Sequence, residues 1–217
     1  MPLLLYCVTE DRVARPKTAG VRGGKVDCIV GQGLNCFFST VEELDELQAS
    51  ETVREDALQF HAVITELFSH AAVIPFRYPT VVESAVWVAE FLEEHASSYR
   101  TTLASHRDDV QMDVRLLLRE PHRANPSFSG KEFLEHRRDL EKLLENAASS
   151  CRQTLGTVAV RWRQRPTREG LRCFALVRRA EIRVFQQQIQ TVALPENVKA
   201  VVSGPWPTTE FLHSDPQ

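Results

Sequence analysis

Apolar residues recur along this chain with two periods, and the period changes mark its elements. Leu3–Val8 is a short apolar run that predicts a strand buried on both faces, followed over Arg12–Lys25 by a loop with Pro16, Gly20, Gly23 and Gly24. Val26–Val30 and Leu34–Phe38 are β-rich and flank Gly31-Gln32-Gly33, a hairpin whose glycines answer a need for positive φ. An acidic connector follows. Val53, Ala57, Phe60, Ile64, Leu67 and Phe68 then take helical spacing over Val53–His70. Ala72–Val82 is extended, but Pro75 and Pro79 restrict it to an edge or bulged strand. Ser84 is placed to cap a helix running to about Ser105, with Val88, Leu92, Tyr99 and Leu103 on one face.

The second half alternates more strictly. Val110, Met112, Val114, Leu116 and Leu118 interleave with Gln111, Asp113, Arg115, Leu117 and Arg119, so one strand face is apolar. Pro121–Ser127 reads as a loop. Ser129 precedes a helix of about 25 residues whose inward stripe is Phe133, Leu140, Leu144, Ala147 and Cys151. Val158, Val160 and Trp162 alternate with Arg161 and Arg163, and a turn over Pro166–Gly170 leads into a strand at Leu171–Val177. Ile182, Phe185, Ile189 and Val192 mark a helix ended by Pro195. Val198–Ser203 is the final strand, stopped by Gly204-Pro205-Trp206-Pro207.

From Val110 onward the order is β-α-β-β-α-β, the ferredoxin-like arrangement of a four-stranded antiparallel sheet with two helices on one face. The first half, β-β-β-α-β-α, is a looser ferredoxin-like variant. The expectation is an α+β protein of two domains, 1–107 and 108–217.

Composition narrows the function classes. The chain has 217 residues, 43% hydrophobic and 25% charged, as globular proteins do. No apolar run approaches the roughly 18–20 residues that span a bilayer. The opening segment lacks the basic leader of a signal peptide. A net charge of −3 disfavours nucleic acid and acidic membrane as partners. The charge is nevertheless unevenly spread. Fourteen acids face four bases between Val41 and Asp109, and nine arginines face two acids between Arg152 and Arg183. Two solvated faces attracting across a domain interface account for this, as does a basic docking surface.

The cysteines at 7, 28, 36, 151 and 173 are odd in number, lack C-x-x-C spacing and sit in apolar settings, which predicts reduced thiols in a cytoplasmic protein. No G-x-S-x-G, P-loop, H-E-x-x-H or G-x-G-x-x-G motif is present, and no histidine pair has the spacing of metal ligands on one helical turn. No catalytic, cofactor or metal residues are therefore assigned. One constellation points to binding. On the sheet face opposite the helices, Gln111, Asp113, Arg115, Arg161, Arg163 and Lys199 project together, joined by Arg172, Phe174, Leu176 and Arg178 if that strand turns the same way. Basic residues around an aromatic resemble an RNA-binding sheet, but the paired stacking aromatics of that module are missing. The other reading is a face covered by the first domain or by a protein partner.

Three stretches resemble one family. Leu58–Phe68 followed by Ala72–Val82 is similar to a helix with an internal histidine and a V-L-P-L-R-F-G-T strand in the GvpL/GvpF family of gas vesicle proteins. Ser129–Arg138 resembles that family's Gly, aromatic-Leu, Arg-rich helix start. Val202–Pro207 resembles its closing S-G-P-W-P-P-Y-x-F signature, and the order and spacing agree from Leu4 to Phe211. Pro79 stands in place of the usual Gly, and Thr208-Thr209 in place of Pro-Tyr. The resemblance implies a non-enzymatic accessory protein of gas vesicle formation, cytoplasmic and gas vesicle associated. Its implied partners are the small hydrophobic shell protein and other gas vesicle assembly proteins. RNA binding through the basic face is the alternative. Candidate interaction or inter-domain residues are Pro75, Arg77, Arg161, Arg163, Gly204, Pro205, Trp206 and Pro207. Trp206, held between two prolines, is expected to anchor internally, in the inter-domain groove near Val86–Leu103.

Overall fold

The computed structural model describes residues 1–41, 52–119 and 130–212. The acidic connector, the Pro121–Ser127 loop, Ser129 and the side chain of Phe133 lie outside the described residues. The chain forms two compact units, Met1–Arg107 and Asp108–Gln217.

In the first unit the apolar run becomes β1 (Leu3–Glu10), the central strand of its sheet. β3 (Leu34–Thr40) pairs with it on one side and carries β2 (Asp27–Gly31) on its outer edge. On its other side lie two short strands, β4 (Ile74–Pro75) and β5 (Val81–Val82). The two prolines thus interrupt one edge strand into two, as a missing N–H and a fixed φ require. Two helices, α1 (Val53–His70) and α2 (Ala85–Ser105), complete the unit. Ser84 does cap α2, its Oγ accepting from the Trp87 N–H at 3.4 Å.

Leu3, Leu5 and Val8 join Val88, Leu92, Ala96 and Leu103 of α2 in one core. Tyr6 instead stacks on Phe60 of α1, with ring centroids 5.0 Å apart. Tyr6 sits at a bulge between Leu5 and Cys7, and Leu3–Val8 is buried throughout, with α2 against one set of its side chains and α1 against the other. That departs from the one-sided layering of a ferredoxin-like variant, because β1 is apolar on both faces and needs both covered. The hairpin departs in detail too. Its positive φ values fall at Gln32 (55°) and Gly33 (76°), so Gly31 ends β2 as an ordinary strand residue.

In the second unit β6 (Asp109–Leu118) is central, between β8 (Gly170–Arg178) and β9 (Val198–Trp206), with β7 (Ala159–Thr167) beyond β8. All pairings are antiparallel. α3 (Gly130–Thr154) packs on β6 and β8 and touches α4 (Ile182–Gln190), which also packs on β8. Val110, Met112, Val114 and Leu116 are buried with Leu144, Ala147, Cys151, Phe185 and Ile189.

Three sequence expectations fail here, each at an irregular strand. β7 has a bulge between Ala159 and Arg161, which leaves Val160 55% exposed rather than facing inward. Pro166 continues β7 instead of opening the turn, as an edge strand allows. β9 does not stop at Ser203. It bulges at Gly204-Pro205 and resumes pairing at Trp206, opposite Gln111.

Candidate protein-interaction surfaces

The register of the second sheet brings the predicted basic residues onto one face. Arg161, Arg163 and Arg165 of β7 lie opposite Leu176, Phe174 and Arg172 of β8, which in turn lie opposite Gln111, Asp113 and Arg115 of β6. Directly opposed residues share a face. This face is not open, however. After β9 the chain turns back in a short 3-10 turn, Thr209–Phe211, and lays Phe211 on Phe174 and Leu176 in a small buried cluster.

Polar contacts hold that turn. The Glu210 N–H donates to the Gln111 side-chain carbonyl at 3.0 Å, and Arg163 donates to the Glu210 carbonyl oxygen at 2.5 Å. Arg165 pairs with the Glu210 carboxylate at 2.6 Å. The guanidinium carbons of Arg161 and Arg163 stand 5.5 and 5.7 Å from the Phe211 ring centroid, and Arg172 stands 4.9 Å from that of Phe174. Beneath them Asp113 is buried, accepting from Gln111 Nε2 at 2.8 Å and from Arg172 Nε at 3.0 Å. Gln111, Asp113, Phe174 and Leu176 are therefore interior, and the turn that covers them belongs to the same unit. The flat stacking platform that RNA binding needs is occupied by Phe211.

The Gly-Pro-Trp-Pro stretch is the bulge that leads into this turn. Gly204 has φ of 123° and lies tightly against β6: a Cβ there would stand 2.9 Å from the Gln111 carbonyl oxygen and 3.0 Å from Met112 Sδ. That φ lies in the region that favours glycine, and the Gly204–Pro205 bond is cis. Pro205 is exposed, Pro207 buried, and Trp206 only half-buried, its indole N–H donating to Ser203 Oγ at 3.3 Å. Phe211 is the fully buried aromatic of this segment. Pro75 is half-buried where β4 meets Cys7, and Arg77 is exposed beyond it.

One surface escaped the sequence reading. On α2, Trp87, Phe91, His95 and Tyr99 follow one another at four-residue intervals as a run of ring contacts. Their spacing is visible in the sequence, where i, i+4 aromatics signal a stripe along one helix face. Of its members only Tyr99 is assigned from the sequence, to the inward face with Val88, Leu92 and Leu103, and it both ends this run and packs on the core.

The titratable groups are engaged structurally. The buried carboxylates of Asp56, Asp109 and Asp113 pair with Arg22, Arg178 and Arg172. Among the described residues no group of three or more His, Cys, Asp or Glu is arranged to hold a metal ion. No helix among them is long and apolar enough to cross a membrane. All five cysteines are unpaired, and only Cys28 is half-exposed to solvent. Burial pushes the Cys36 and Cys173 thiols up to about 12, Cys151 to about 11, and Cys7 well above the ordinary value. Native-state alkylation with iodoacetamide at pH 8 should therefore modify Cys28 first and leave the other four until unfolding. Labelling of Cys36 at the rate of Cys28 would contradict this. The sign of the linkage follows: unfolded thiols ionise first, near 9, so stability should fall as pH rises from there toward the folded values.

The comparisons with known proteins accord with this architecture. Among the described residues the chain is α+β, with two antiparallel sheets and four α-helices, and this fold is similar to that of solved gas vesicle proteins. GvpF from Anabaena sp. PCC7120 is similar with a TM-score of 0.79 at 14% identity, over 99% of this chain and 97% of that one. GvpF from Microcystis aeruginosa is similar with a TM-score of 0.75 at 11% identity, over 98% and 99%. No curated protein sequence matches the chain. The family model for the gas vesicle synthesis protein GvpL/GvpF matches residues 2–213, and the chain belongs to that family.

Proposed function

We propose that this protein is a non-enzymatic accessory factor of gas vesicle formation that binds the small hydrophobic shell protein or other vesicle assembly proteins. It works in the cytoplasm and associates with the vesicle. The observation that carries the reading is the family match over residues 2–213. Among the described residues the buried carboxylates of Asp56, Asp109 and Asp113 are held in pairs with arginines, an arrangement suited to holding the fold.

In this reading 1–107 and 108–217 are two domains. The strand order β7-β8-β6-β9, with two helices against it, is ferredoxin-like in the second. The first keeps only the layered logic of that fold. Partner-facing residues are sought at Pro75 and Arg77 beside the interrupted edge strand and at Pro205 and Trp206 on the bulge. Arg161, Arg163, Gly204 and Pro207 serve the internal turn. Affinity capture of the tagged protein co-expressed with the shell protein tests the reading. The shell protein or another vesicle protein should be retained, and deleting the gene should reduce vesicle formation. Retention of neither, with vesicles unchanged in the deletion strain, would overturn it.

A further inference from the structure

The aromatic run on α2 does more than close the core beneath it. Trp87 stacks on Phe91 with centroids 5.1 Å apart and planes at 12°, and Phe91 meets His95 at 4.5 Å. Phe91 is tied inward through Phe76 at 6.0 Å, whereas Trp87 is 44% exposed and its neighbour Val86 is 66% exposed. Phe91, His95 and Tyr99 are half-buried, with Phe91 and Tyr99 packed on the core, so the exposed apolar surface is the Val86–Trp87 end. A rigid, stacked, exposed tryptophan marks a contact surface.

The helix positions around the Trp87 end of the stripe are acidic. Glu90 lies three residues after Trp87, and Glu94 three after Phe91, which sets each carboxylate next to a ring on its solvent side. Glu94 is exposed and stands 3.9 Å from His95 Nδ1. From Glu83 to Tyr99 there are four glutamates and no lysine or arginine. An anionic lipid surface would be repelled by that border.

We propose that this stripe docks an amphipathic helix of a partner protein whose apolar face is edged by lysine or arginine. Its apolar side chains seat on Trp87 and Phe91. Its cations pair with Glu90 and Glu94 and lie over the exposed indole face. The inference extends the assembly role by naming the chemistry of a partner, and it rests on that role only for which protein supplies the helix.

The test uses the full chain and an 18-residue helical peptide of leucine and lysine, labelled for anisotropy, with a leucine–glutamate peptide of the same pattern as control. Trp87→Ala and the double variant Glu90→Lys/Glu94→Lys should each weaken leucine–lysine binding by about tenfold or more, as loss of a hot-spot contact does. Glu55→Lys/Glu145→Lys makes the same change in net charge at exposed positions on other helices, and it should stay within about twofold of the parent. Unchanged circular dichroism shows that these surface variants fold. The proposal is overturned if the charge-matched control weakens binding equally, if Trp87→Ala binds as the parent does, or if the leucine–glutamate peptide binds as well. It is also overturned if sedimentation shows a dimer that Trp87→Ala dissociates, since a second copy would then occupy the stripe. Peptide binding reads this surface alone, and the deletion strain reads the assembly role alone.

Discussion

Replacing Phe211 with alanine should destabilise the second unit by about 3–5 kcal/mol, the range for truncating a buried aromatic. The ring is 1% exposed and closes a cluster with Phe174 and Leu176, so its removal uncovers both. It also strips Arg161 and Arg163 of the π-face they share. The same change at Trp206 should cost only about 1–2 kcal/mol, because that indole is half-buried and the pairing of β9 with β6 there is made by the backbone, which alanine keeps. A chain of two units need not unfold in one step, so the reading should be local. Hydrogen exchange at the amides of β7 and β8 should accelerate strongly in Phe211→Ala and weakly in Trp206→Ala. The reverse order would return the anchoring role to the tryptophan.

Gly170→Ala should be the other severe substitution. Gly170 opens β8 after the two-residue link from β7, and a Cβ at that position would stand 2.0 Å from the Leu116 carbonyl oxygen. Neither atom belongs to a side chain that can swing away, so the central pairing of β6 with β8 must separate. A loss on the order of 3 kcal/mol or more is expected. Gly23→Ala makes an informative comparison. Nothing lies within 4 Å of a Cβ there, and φ is +75°, so only backbone strain of about 1 kcal/mol opposes it. Urea midpoints of the two variants should differ accordingly. Equal midpoints would mean that the strands around Gly170 yield more readily than their spacing suggests.

Most elements could be read from periodicity, because burial of one face imposes a period of two or 3.6 on the residues that form it. Val110–Leu118 and Val53–His70 follow that rule closely. Bulges break it. An unpaired extra residue at Val160 or at Gly204-Pro205 shifts the phase, so alternation misassigns Val160 and ends β9 too early. The covering of the basic face was hidden for a different reason. Gln111, Asp113 and Arg172 read as solvated because they are polar, yet they satisfy one another and the backbone of Glu210. A three-residue turn carrying one phenylalanine has no period to detect. The register sets Arg161, Arg163 and Arg165 opposite Leu176, Phe174 and Arg172, but what faces them comes from tertiary structure.

The position of β1 at the middle of its sheet has a consequence for synthesis on the ribosome. Leu3–Val8 is almost wholly buried, yet its neighbours are β3 at Leu34–Thr40 on one side and β4 and β5 at Ile74–Val82 on the other. While the nascent chain lengthens from Thr40 to Ile74, β1 has one bonded edge and one bare edge, flanked by apolar side chains. Such an edge recruits other strands, and contacts this distant in sequence form slowly. Translation speed across residues 41–73 should therefore govern how much of the protein reaches its native state rather than aggregating, and a chaperone that shields strand edges should raise the yield.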